Sequence, residues 1–162
     1  MPRNMLLSIM IYACFLLLTE TSFSQGPLDT EKIKGVKGLK TVAVVIEPTD
    51  KPNIERIIGI KDLGDMVEVG LHNRVPELRP GTPAEETDNW LSLEIYTTED
   101  CAVLGISLYR RVKVLDSGEE TISKVWWDQR FASGGKVDKK YLQEMLDTLL
   151  TRFAADYLRA NQ

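Results

Sequence analysis

Three consecutive stretches between residues 91 and 131 alternate apolar and polar side chains with a period of two, and no other feature restricts the fold as much. Successive side chains of an extended chain point to opposite sides, so this period means strands with one buried and one wet face. In the first stretch Leu91, Leu93 and Ile95 share a face opposite Ser92, Glu94 and Tyr96. In the second, Leu104, Ile106, Leu108, Val112 and Val114 oppose Ser107, Tyr109, Arg111 and Lys113. In the third, Val125, Trp127 and Phe131 are expected to point inward, and Lys124, Trp126, Asp128 and Arg130 outward. Turn residues over 98–101 and 116–119 separate the stretches, which predicts an antiparallel meander.

Upstream, the β-branched run over 41–46 is apolar on both faces and ends at Pro48, predicting a central strand. Residues 50–59 read as a turn-rich connection. Leu63, Val67, Leu71 and Val75 then follow helical spacing until Pro76 stops it. Residues 79–88 hold prolines, a glycine and acids, and read as a loop. After Ser133-Gly134-Gly135, Asp138 is placed to cap a final helix. Its broad stripe comprises Leu142, Met145, Leu146, Leu149, Leu150, Phe153, Ala154, Tyr157 and Leu158. Both helices need an apolar sheet face, and each meander strand has only one. The expected fold is therefore α+β in two layers, a four-stranded mixed sheet with two helices on one face, in the order β-α-β-β-β-α. The first strand would reach the meander by a right-handed crossover through the first helix.

The amino terminus has the layout of a secretory leader. Arg3 precedes an almost unbroken apolar run over 6–18, and Ser22 and Ser24 are small residues placed for cleavage after Ser24. The expected organisation is a signal peptide over 1–24, a flexible lead-in over 25–38 and a single α+β domain over 39–162. Glu20 closes the apolar run before the roughly 18 to 20 residues that a membrane span requires, so no span is expected after cleavage. Two other fates of the leader compete: retention as an anchor, and lipidation at Cys14. Against lipidation, the run stays strongly apolar beyond Cys14, and bulky Tyr12 precedes it. The chain is thus expected to be exported, periplasmic or secreted. Export leaves Cys101 as the lone thiol, expected to be a half-buried strand residue without a redox task.

A formal net charge of −4 argues against a protein built to coat nucleic acid or anionic membranes. A catalytic nucleophile needs a base within hydrogen-bond reach, and the only histidine, His72, falls near the end of a helix opposite no obvious Ser or Asp. Glu47-Pro48-Thr49-Asp50 would repel phosphate, and no Cys/His spacing suits zinc. The acids Glu85, Glu86 and Asp88 fall at one end of a strand and Glu99 and Asp100 at the other, neither group with calcium-ligand spacing. No catalytic residue, metal or cofactor is expected.

The sheet face left open by the helices is the expected binding surface. By the alternation above it would carry Tyr96, Tyr109 and Trp126, flanked by Arg111, Lys113, Lys124 and Arg130. Aromatic rings among basic side chains suit contacts with sugars, peptides or a partner protein. The competing reading is a set of cross-strand pairs that stabilise a solvated sheet by about 0.2–1 kcal/mol each. Export argues against single-stranded RNA as a ligand.

An exported chain with a β-branched strand over 41–46, a helix ending before Val75-Pro76, a meander and a Leu-rich terminal helix resembles the small periplasmic domains of bacterial envelope proteins. The TolB amino-terminal domain and the LpoB-type activators of peptidoglycan synthases are examples. The resemblance covers residues 39–161 and rests on element order. It implies a protein-binding adaptor of the cell envelope, without catalysis, and it transfers no site residue. The leading expectation is therefore a non-enzymatic domain that binds another envelope protein. One alternative is a carrier of a small apolar ligand held between sheet and helices. Another is a hydrolase built around Cys101 or His72.

Overall fold

The computed structural model describes residues 27–80, 88–134 and 137–162. The expected signal peptide over 1–24, with Cys14, and the acids Glu85 and Glu86 lie outside them. The chain divides after Thr30, and the larger compact unit is Glu31–Gln162. The elements are α1 (Pro27–Val36), β1 (Thr41–Pro48), α2 (Lys51–Ile57), α3 (Ile60–Arg74), β2 (Arg79–Pro80), β3 (Asn89–Thr97), β4 (Cys101–Lys113), β5 (Glu120–Ser133) and α4 (Lys139–Asn161).

The strands lie in the order β2-β1-β3-β4-β5. β1 runs parallel to β3, while β3, β4 and β5 form the antiparallel meander that the alternation predicts. The four long strands make the expected mixed sheet. β1, however, is not flanked by two long strands: only two residues of β2 cover its other edge, Thr41 opposite Arg79 and Val42 opposite Pro80. Its second apolar face instead continues the open side of the sheet, with Val45 beside Ser92.

α3 and α4 pack together on one side. Gly70 of α3 permits their close approach, since a Cβ there would lie 2.6 Å from Leu150 Cδ1. Arg74 forms an ion pair with Asp147 across the same contact. Leu63, Val67 and Leu71 of α3 meet Leu142, Leu146, Leu149 and Phe153 of α4 in one core with Leu91, Leu93, Leu104 and Ile106 of the sheet. Asp138 caps α4 as expected, its carboxylate accepting from Tyr141 N–H at 2.9 Å. Leu158, assigned to the buried stripe, is exposed.

Two helices were not expected. Residues 50–59, read as turns, contain α2, whose Asp50 carboxylate accepts from Asn53 N–H at 3.3 Å and from the Asn53 side-chain amide at 2.6 Å. A capping Asp followed by a proline in the first turn is a helix start, and the fully buried Ile54 anchors so short an element. The stretch over 25–38, read as a flexible lead-in, carries α1, so the packed chain begins before residue 39. Val36 and Leu39 are buried in the core despite their isolation in sequence. The Arg110 guanidinium donates to the carbonyls of Gly35 and Lys37, each at 3.0 Å, and so holds the carboxyl end of α1. Gly35 itself lies against β5: a Cβ there would be 2.2 Å from the Val125 carbonyl oxygen.

Candidate binding face

Residues directly opposite in a sheet share a side, so the strand register sorts the predicted site. On β4, Ala102, Leu104, Ile106 and Leu108 are buried toward the helices, and their partners on β5 are Ala132, Arg130, Asp128 and Trp126. Trp126 is therefore on the helix side, not the open face. Its side chain is 1% exposed, meets Phe153 edge-on at 5.0 Å, and donates from Nε1 to Asp156 at 2.9 Å. Asp128, which looks solvent-facing by composition, is accommodated there by Arg152 at 2.9 Å. Arg130 also belongs to that side, exposed on the edge strand, and makes no ion pair among the described residues.

A β-bulge is part of this correction. Leu108 pairs with Trp126 but Tyr109 pairs with Lys124, which leaves Val125 without a partner. One extra residue in a strand exchanges inside and outside beyond it. Lys124 therefore faces outward as expected. Beyond the bulge the expectation inverts, and Trp127 and Phe131, assigned to the core, are 43% and 68% exposed.

The open face that results keeps five of the seven predicted residues, Tyr96, Tyr109, Arg111, Lys113 and Lys124, and adds Trp90, Trp127 and Phe131. One row across the sheet runs Trp90, Tyr109, Lys124. The two rings stack at 5.4 Å with an interplanar angle of 12°, and Lys124 Nζ lies 5.4 Å from the Tyr109 centroid. A second row runs Tyr96, Val103, Phe131, with Tyr96 44% exposed. Between the rows, Trp127 lies under the Lys32 ammonium of α1 at 5.0 Å. Ser92 is fully buried in this face and its hydroxyl has no hydrogen-bond partner among the described residues. Trp90 was legible in sequence, because it shares parity with Ser92 and Tyr96. Trp127 and Phe131 were not, because their parity depends on which of two adjacent tryptophans turns inward.

The cations of this face are largely matched by its own carboxylates. Arg111 pairs with Asp88 at 2.9 Å and Glu120 at 3.5 Å, and Lys124 with Glu94 at 3.6 Å. Partial burial lowers the Lys124 pKa, but its interactions with Tyr109 and the Glu94 carboxylate outweigh that and hold it above the ordinary lysine value. Lys113 is exposed and has no ion pair among the described residues. The surface is thus aromatic with internally compensated charge, rather than basic.

Other candidates come together less well. His72 is exposed in the last turn of α3, and Cys101 is a half-buried free thiol at the start of β4. Neither side chain makes a hydrogen bond among the described residues. The space lined by Val42, Val44, Leu71 and Leu78, between β1 and α3, amounts to about 10 Å³, room for no more than one water. A groove of about 700 Å³ lies at the β3–β4 turn, lined by Asp50, Arg56, Tyr96, Thr97 and Glu99. Among the described residues no group of acids, His and Cys could hold a metal, and no helix is long and apolar enough to cross a membrane.

No family model matches the chain, and no curated protein matches it. Similar solved structures include the PelC dodecamer from Paraburkholderia phytofirmans, 15% identical over 74% of this chain and 87% of that one, with a TM-score of 0.37. A putative lipoprotein from Caulobacter crescentus is 13% identical over 83% of this chain and 93% of that one, with a TM-score of 0.34. A protein of Xanthomonas campestris from family DUF330 is 9% identical over 74% of this chain and 81% of that one, with a TM-score of 0.35. None of the three is a TolB amino-terminal domain or an LpoB-type activator.

Proposed function

We propose that this chain is an exported, non-catalytic domain of the bacterial cell envelope that docks another envelope protein on the open face of its sheet. The observation that carries the reading is the exposure of Tyr96, Trp127 and Phe131 beside the stacked Trp90–Tyr109 pair. Large rings left in water cost stability that a partner surface recovers, and such anchors dominate the energetics of protein interfaces. Compensated charge on the face favours a polypeptide with apolar side chains over a polyanion. The leader over 1–24 supports the envelope setting. Among the described residues the space between β1 and α3 is too small for the carrier alternative, and neither Cys101 nor His72 makes the side-chain hydrogen bond that the hydrolase alternative needs.

The test compares the chain recovered from the periplasm with its Trp127→Ala/Phe131→Ala variant. An envelope protein retained by the wild type is purified and titrated against both. Loss of two central anchors is expected to raise the dissociation constant by about 30-fold or more. Unchanged affinity in a variant with an unchanged circular-dichroism spectrum would overturn the reading.

A further inference from the structure

We infer that the groove at the β3–β4 turn binds a small amphoteric molecule of the basic amino acid class, with two ammonium groups and one carboxylate. The groove, of about 700 Å³, is lined from α2 by Asn53 and Arg56 and from the turn by Thr98, Glu99 and Asp100. That is the size of an ordinary small-molecule cleft.

Two independent observations point to a ligand. The first is an orphaned hydroxyl. Thr97 lines the groove, is 2% exposed, and its hydroxyl has no hydrogen-bond partner among the described residues. It shares parity with Leu93 and Ile95, so its side chain points to the helix side, where Ile54 anchors α2 in the core. Buried polar groups are almost always paired, and a polar ligand group seated in the groove supplies the missing partner. The second observation is unmatched charge. Arg56, Glu99 and Asp100 are exposed, and none of their side chains makes a hydrogen bond or ion pair among the described residues. On the open face, by contrast, Arg111 and Lys124 meet acids of their own chain. Asp50 also lines the groove, but its carboxylate is engaged by the Asn53 N–H and side-chain amide. One guanidinium and two carboxylates therefore remain for a ligand to match. A carboxylate suits the Arg56 fork, and an ammonium suits each of Glu99 and Asp100. A simple anion would face two acids, and a simple diamine would leave Arg56 unmatched. Tyr96, 44% exposed, adds a ring for the alkyl stem that joins the charged ends.

The site does not depend on the docking proposal. L-lysine is the probe, titrated into the periplasmic chain while its amide NMR signals are followed. Saturable shifts over 53–57 and 96–100 are expected, with a dissociation constant below about 1 mM. Cadaverine lacks the carboxylate and norleucine lacks the side-chain ammonium; each is expected to bind at least about tenfold more weakly. Arg56→Gln is expected to make lysine and cadaverine bind alike. Glu99→Gln/Asp100→Asn is expected to do the same for lysine and norleucine. Thr97→Val keeps the shape of the side chain and is expected to weaken lysine binding about fivefold with an unchanged circular-dichroism spectrum. Lysine that moves none of these amides at about 10 mM would overturn the inference. So would wild-type protein that binds cadaverine as tightly as lysine, or an Arg56→Gln variant with undiminished lysine affinity. Arg56 lies on α2, off the open face, so loss of lysine binding in Arg56→Gln with envelope-partner binding intact separates this site from the docking surface.

Discussion

Trp126 and Trp127 are chemically identical neighbours whose environments differ because α4 presents matched groups to only one of them. Phe153 offers a ring edge to the Trp126 indole and Asp156 accepts its N–H, whereas Trp127 meets the Lys32 ammonium and water. Burying an indole without an acceptor would leave a polar group unpaired, so Asp156 matters as much as the apolar area. Replacing Trp126 by Ala opens a cavity in the core and is expected to cost about 3–5 kcal/mol. The same change at Trp127 removes a half-exposed ring that fills no core space and is expected to cost much less, about 1 kcal/mol. Urea unfolding of the two variants checks this; equal losses would contradict the side assigned to each ring.

The elements that sequence made legible are those whose signals lie within a few residues. The meander, α3 and α4 follow from periodicity, Pro76 and Asp138. α1 was hidden because its two anchors, Val36 and Leu39, show no helical stripe, and its stability comes from contacts distant in sequence. Arg110 holds its carbonyls, and the missing side chain at Gly35 lets its backbone approach the bulge at Val125. Gly35→Ala decides which effect wins there. Alanine in a helix gains about 1 kcal/mol over glycine, but overlap with a backbone oxygen of the sheet costs about 1–3 kcal/mol. The variant is expected to be less stable, with faster amide exchange over 31–39 than in the wild type. A more stable variant would mean that α1 does not rest on the strand. The open face was legible only in part for a related reason: Tyr96, Tyr109, Arg111, Lys113 and Lys124 keep the parity of their runs, while the bulge reverses it for Trp126 and Arg130.

For the whole molecule, Tyr157 ties the last helix to the segment entering β1, its phenol donating to the Leu39 carbonyl at 2.9 Å. Burial disfavours the phenolate, and the negative charge of Glu77 adds to it, so its pKa lies above the ordinary 10.0. Below that value the phenol is neutral in both folded and unfolded chains, and its contribution to stability is complete. As pH rises through it the unfolded chain ionises first, and this stabilisation is lost by the time the folded phenol ionises. Tyr157→Phe leaves the Leu39 carbonyl unpaired and is expected to cost about 1–2 kcal/mol near neutral pH, with the difference from wild type shrinking as pH rises above the ordinary tyrosine value. A difference that is constant with pH would contradict the assignment. Sequence alone determined the α+β class, the meander and the two major helices on one layer, because periodicity and caps are local properties of the chain. Only the tertiary structure decided which side of β5 faces the core. A period-two pattern offers both parities an aromatic side chain here, and the choice rests on Arg152, Phe153 and Asp156, which the fold brings to the strand from α4.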